Sequence, residues 1–241
     1  MMNNKVESLP KTSSLNPERL AMAKSSYTAR RIDKDSIKTL LHGNRKPRSG
    51  DLVLARVEKI GHHKRIELAH GRRAPLFVGD EIVVVYGHRY APDQFESEVP
   101  KDLSACHLVA GGGIASNCIS RNKKARIATR IQPLGLLGDE NGQPVNMADA
   151  AITPAEIKHP RPFIVTVIGT AMNAGKTTSA AHLIKGLSRS GMKVGAAKLT
   201  GTGAGGDRWL MSDAGAMEVV DFTDAGFAST YHATLAELEH I

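Results

Sequence analysis

The chain has 241 residues, of which 41% are hydrophobic and 4% aromatic, and a formal charge of +8. That length holds two modest domains with a sizeable core, and the composition excludes a disordered chain. The scarcity of aromatics argues against stacking platforms for single-stranded nucleic acid, and no apolar stretch reaches the roughly 18 residues that span a bilayer.

Met1 to Lys11 is polar and carries no secretory core, so a cytoplasmic location without membrane contact is expected. Cys106 and Cys118 have neither disulfide-framework nor metal-site spacing and read as two reduced thiols. The charge is concentrated at one end. Residues 1–50 hold 11 Lys/Arg against 4 Asp/Glu, whereas residues 161–241 hold 7 of each. A basic N-terminal arm follows, able to touch nucleic acid or to lie solvated or bridging subunits.

Residues 1–13 lack any period and are expected to be irregular. Asn16-Pro17-Glu18 is a helix start, with a cap, Pro at the first position and an acid in the first turn. It predicts a helix through Arg31. A second short helix is expected over Asp35–Leu41, followed by a basic linker, Arg45–Gly50.

The period then changes. Asp51–Ile60 has strand composition, Gly61-His62-His63-Lys64 reads as a hairpin tip, and Glu81–Tyr86 is a further strand after a Gly79-Asp80 turn. Short strands between such turns predict a small β-rich, barrel-like domain of SH3-like or OB-like type over residues 51–155. His62 and His63 are candidate metal ligands, but adjacent strand residues face opposite sides, which favours a solvated turn. Cys106–Asn117 reads as an apolar strand, the Gly111-Gly112-Gly113 triplet and a helix. The triplet is either an anion-binding turn or a tight connection that needs small residues. Cys106 and His107, as sequence neighbours, are poorly placed to act as nucleophile and base.

The most informative stretch lies near the end. Phe163–Ile168 predicts a strand, Gly169-Thr170-Ala171-Met172-Asn173-Ala174-Gly175-Lys176-Thr177-Thr178 a glycine-rich loop, and Ser179–Leu187 a helix. Strand, loop with Gly-Lys-Thr, and helix form a cradle for a nucleoside triphosphate, the Walker A arrangement. Five residues, not the usual four, separate Gly169 from Gly175. Lys176 would neutralise the β/γ-phosphates and Thr177 would bind Mg²⁺. Met192–Lys198 is expected as the next parallel strand, with Lys198 at its carboxyl end, where ligands of open α/β sheets sit. A Thr/Gly loop, Leu199–Gly206, leads to Asp207, and Asp213 follows. Either aspartate is a candidate for Mg²⁺, directly or through water. Glu218–Phe222 is a third strand with Asp221 and Asp224 at its end.

Gly169-Thr170 with Gly175-Lys176-Thr177, Ala197-Lys198 before a Gly/Thr loop, and Ser212-Asp213-Ala214 together resemble dethiobiotin synthetases. They also resemble a related P-loop family of D-amino-acid N-acetyltransferase-type proteins. The resemblance covers about residues 161–225. Dethiobiotin synthetases carry acids inside the loop, where this chain has Ala171, Met172 and Asn173, and residues 1–160 have no counterpart in them. The resemblance implies that Gly169, Thr170, Asn173, Ala174, Gly175, Lys176, Thr177 and Thr178 hold ATP. It further implies that Lys176 and Lys198 are catalytic, with Lys198 approaching the acceptor, and that Thr177 and Asp213 serve Mg²⁺.

The expected architecture is therefore α/β. An incomplete P-loop parallel sheet (161–241) follows a small β-rich barrel-like domain (51–155) and a partly helical basic arm (1–50). Only three strands are countable after residue 161. The remaining ones are expected from a further C-terminal segment, a protein partner or the upstream domain. The expected activity is ligase-like or kinase-like phosphoryl transfer to a small molecule, in a homo-oligomer. The alternative is a nucleotide-dependent switch or assembly factor that grips a macromolecular partner through its N-terminal region, and a third reading is a non-catalytic nucleic-acid binder.

Overall fold

Leu52-Val53-Leu54-Ala55 has no polar residue, and all four are buried. A strand covered on both faces reads as such a continuous apolar run. The computed structural model describes residues 11–154 and 159–241. In chain order the first elements are β1 (Lys11–Ser14), α1 (Pro17–Met22), β2 (Lys24–Ser25), β3 (Thr39–His42) and β4 (Leu52–Lys59). Next come β5 (Arg65–Glu67), β6 (Arg73–Pro75), β7 (Glu81–Tyr86), β8 (Arg89–Tyr90) and β9 (Phe95–Glu98). Then follow β10 (Cys106–Ala110), β11 (Ile114–Arg121) and β12 (Thr129–Gly138). The C-terminal unit holds α2 (Lys176–Arg189), β13 (Gly195–Lys198), α3 (Gly206–Ala214), β14 (Glu218–Asp221) and α4 (Leu235–His240).

Ten strands form one mostly antiparallel sheet. Within it β12, β4, β7, β11 and β10 pair in succession, and β10 returns to β12, so five strands close on themselves. Closure leaves these five strands without a free edge. Strand alternation sends Val53, Ala55, Val57, Ile82, Val84, Leu108 and Ile131 into the enclosed core. Leu52, Leu54, Val83, Val85 and Ile114 point the other way, into a second core with Leu20 of α1 and Ile37. The barrel-like expectation for this region agrees with that closure.

Several local expectations are corrected. The described part of the basic N-terminal arm is bound into the sheet, because β1 pairs with β3 and β3 pairs with β12. Of the start expected to be irregular, residues 1–10 lie outside the described residues, and Lys11–Ser14 is strand. The helix from Pro17 stops at Met22, where Ala23 turns to extended backbone. The second helix is replaced by a short 3-10 turn, Lys34–Ser36, and β3. Leu40 and Leu41 on β3 face different cores, which a strand achieves and one helix face does not. Residues 61–64 do not tip a hairpin, because β4 pairs with β7 and β12 while β5 pairs with β6. The glycine triplet joins β10 to β11 as a hairpin, so no helix follows it.

The C-terminal unit is a parallel pair, β13 and β14, packed through Ala196 and Val219 on α2 and α3. Phe163–Ile168 is not a strand here. It is irregular, with Phe163 93% and Ile168 85% exposed. A strand needs a neighbour for its backbone groups, and among the described residues this run has none. Among the described residues the parallel sheet of this unit is the β13–β14 pair alone, and the expected multi-stranded P-loop sheet is not shown. No helix among the described residues is long and apolar enough to cross a membrane, and both cysteines are free.

Candidate functional site

Gly175 caps α2 with φ of 83°, and Asn173 has φ of 65°. These left-handed residues turn the chain sharply into the helix. The loop folds back over its lysine: Lys176 Nζ donates to Ala171 O at 2.6 Å. A Cβ on Gly169 would lie 3.0 Å from Lys176 Cγ, so glycine allows the close approach. Gly169 to Gly175 are exposed, Lys176 and Thr177 half-buried, and Thr178 exposed. Amides at the start of a 14-residue helix, with an ammonium held beneath them, suit an anionic ligand.

Helix α2 runs into β13, and α3 connects β13 to its parallel neighbour β14. The starts of both helices therefore lie at the carboxyl ends of the strands. Lys198 is there, register partner of Asp221, and its Nζ forms an ion pair with Asp207. Lys176, Thr177, Lys198 and Asp207 thus belong to one end of the unit. Asp213 does not. Ser188 Oγ near the end of α2 donates to Gly215 O just past α3 at 2.8 Å, so the helices end together. Thr177 precedes Ser188 by 11 residues, about 16 Å of helix. Thr177 and Asp213, both expected to serve Mg²⁺, therefore stand toward opposite ends of the α2–α3 pair. Their helices run side by side in the same direction, which separates an early residue of one from a late residue of the other. No group of three or more His, Cys, Asp or Glu among the described residues could hold a metal.

The same strand ends carry a buried network with no role in the sequence reading. Asp221 accepts from Tyr27 Oη at 2.6 Å and from Thr223 N at 2.8 Å. Asp224 pairs with Arg30 and with Arg208, the latter at 2.7 Å. Burial, then the Asp221 charge, pushes the Tyr27 phenol well above its ordinary value. Glu67 accepts from Gly205 N at 3.0 Å and Trp209 Nε1 at 2.6 Å. The available signal was Asp221-Phe222-Thr223-Asp224 at a strand end. Two of its partners, Tyr27 and Arg30, stand 194 residues from Asp221 and Asp224 and share no local pattern with them, while Arg208 is 16 residues from Asp224.

The Thr/Gly loop after β13 is clamped on two sides. A Cβ on Gly112 would lie 2.1 Å from Gly203 O, and Gly113, with φ of 106°, packs on Ser26. On the other side Thr230 N donates to Gly201 O at 2.9 Å. The glycine triplet is thus a seat for this loop, in line with the packing alternative. His62 and His63 lie edge-on, 5.0 Å apart, both against Phe95, rather than on opposite faces, because residues 60–64 are not strand. No family model, curated protein or solved structure matches this chain.

Proposed function

We propose that the chain binds ATP through Gly169–Thr178 and activates a carboxylate or amine of a small molecule by Mg²⁺-dependent phosphoryl transfer. The observation that carries the reading is the exposed loop folded over Lys176 at the start of α2. Loop amides and the Lys176 ammonium would stabilise charge on the transferring phosphoryl group, with positioning supplying most of the catalysis. Mg²⁺ would neutralise phosphate charge. The Thr177 hydroxyl is a hard oxygen donor suited to it, and Asp207, at the same end, suits an indirect contact through water. Lys198, held by Asp207, would orient the acceptor.

Lys176→Ala tests the reading by calorimetric titration with Mg-ATP. The expected result is binding weakened about tenfold or more, the value of a charged contact, with turnover lost. Unchanged binding and turnover would sink it. One observation favours a switch as the second reading: Tyr27 and Arg30 of the sheet-rich region grip Asp221 and Asp224 at the strand ends beside the proposed nucleotide. Nucleotide-controlled capture of a partner without small-molecule turnover would select it. The basic N-terminal region is a weaker basis for nucleic acid, because carboxylates engage Arg19, Lys24, Arg30 and Arg31.

A further inference from the structure

The β8–β9 hairpin buries a charge that the exposed Asp93 carboxylate and the Phe95 ring offset only in part. Arg89 is 7% exposed and forms no ion pair among the described residues. Its Nη2 donates to Gln94 Oε1 at 2.7 Å. Its Nη1 lies 3.3 Å from His63 Nε2, but that nitrogen is also 2.8 Å from Val109 O. A carbonyl oxygen only accepts, so Nε2 carries the proton and has no lone pair for Arg89. Arg89 Nε has no partner at all among the described residues. Buried charges are ordinarily paired and their N–H groups satisfied, so this guanidinium keeps donor capacity for a further oxygen acceptor.

Three segments surround this guanidinium, namely residues 61–64, 89–95 and the loop after β11. His62 N donates to Ile127 O and Asn122 N to Gln94 O, each at 2.8 Å, tying the segments together. The last loop presents Arg121, Lys123, Lys124 and Arg126, all exposed. The acids are Asp93, exposed and unpaired with Arg89, and Glu96, which accepts from Ser120 and Tyr231. Burial, then the Arg89 charge, holds His63 down to about 4, so the arginine is the cation of the cluster at neutral pH.

We propose that Arg89 anchors a site for a small oxyanion, a phosphate or carboxylate group, approached from the face bearing Arg121, Lys123, Lys124 and Arg126. The guanidinium fork suits the two oxygens of either group. The site is separate from the loop around Lys176. The test is NMR of arginine Nε–H groups in the full chain, titrated with inorganic phosphate and with acetate at matched ionic strength. Arg89→Lys assigns the resonance and Lys176→Ala removes the other phosphate cradle. A saturable shift of the Arg89 resonance, retained in Lys176→Ala, is expected. Arg89→Lys should weaken the anion-induced stabilisation in thermal melts about tenfold in apparent affinity. A stronger response to phosphate or to acetate tells which group the site takes. A resonance unmoved by both anions, or moved only when Lys176 is present, overturns the proposal.

Discussion

Gly112 shows how one residue type can carry two readings in a sequence. A glycine triplet suggests an anion-binding turn as readily as a packing contact. The 2.1 Å approach of its hypothetical Cβ to Gly203 O decides for packing. Gly112→Ala should therefore destabilise the protein by about 1–3 kcal/mol, the usual cost of overpacking, read as a lower urea midpoint. His63 gives a pH dependence with a definite sign. Its folded value lies near 4, below the ordinary value of 6.5, so the unfolded chain binds the extra proton first. The stability it contributes is complete above 6.5 and is lost as pH falls from there to about 4. His63→Gln should flatten the slope of stability across that window in pH-dependent melts, and an unaltered slope would refute the assignment.

Elements were legible where local signals and tertiary needs coincide. The helix after Lys176, strand β13 and strand β14 stand where composition placed them. Strand β3 was misread as helix because Ile37-Lys38-Thr39-Leu40-Leu41 offers apolar residues that suit either period, and only the pairings with β1 and β12 choose. Phe163–Ile168 failed in the opposite way. Its composition is that of a strand, but hydrogen-bond partners, not composition, make one. The exposed irregular run should be the earliest site of chymotryptic cleavage under native conditions, at Phe163. Mass spectrometry of the first fragments checks this, and first cleavage within the barrel, at Phe95 or Tyr86, would contradict it.

At the scale of the molecule, the sheet-rich region and the C-terminal unit meet through buried charge. Arg30→Met should cost about 3–5 kcal/mol, because it leaves Asp224 buried with fewer partners. Arg208 remains in contact, which favours the lower end of that range. Trp209, the single tryptophan, donates to Glu67 and lies edge-on to Tyr27 at 6.1 Å. Its fluorescence therefore reports this junction directly. In Arg30→Met the fluorescence transition in urea should precede the loss of β-sheet circular dichroism, and coincident transitions at the wild-type midpoint would argue against the coupling.

The sequence by itself determined the glycine-rich loop with its Gly-Lys-Thr, the helix behind it, the parallel order of β13 and β14, and the strand-rich character of the middle region. Each of these rests on short-range spacing, such as turn glycines, strand composition and Gly-Lys-Thr before a helix. Only the tertiary structure decided the ring closure of five strands, the capture of residues 11–42 by that sheet, and the separation of Asp213 from Thr177. It alone placed Tyr27 and Arg30 against Asp221 and Asp224, and buried Arg89 without a carboxylate. These features depend on which distant segments become neighbours, and pairing free energy and desolvation select those neighbours without leaving a local pattern in the chain.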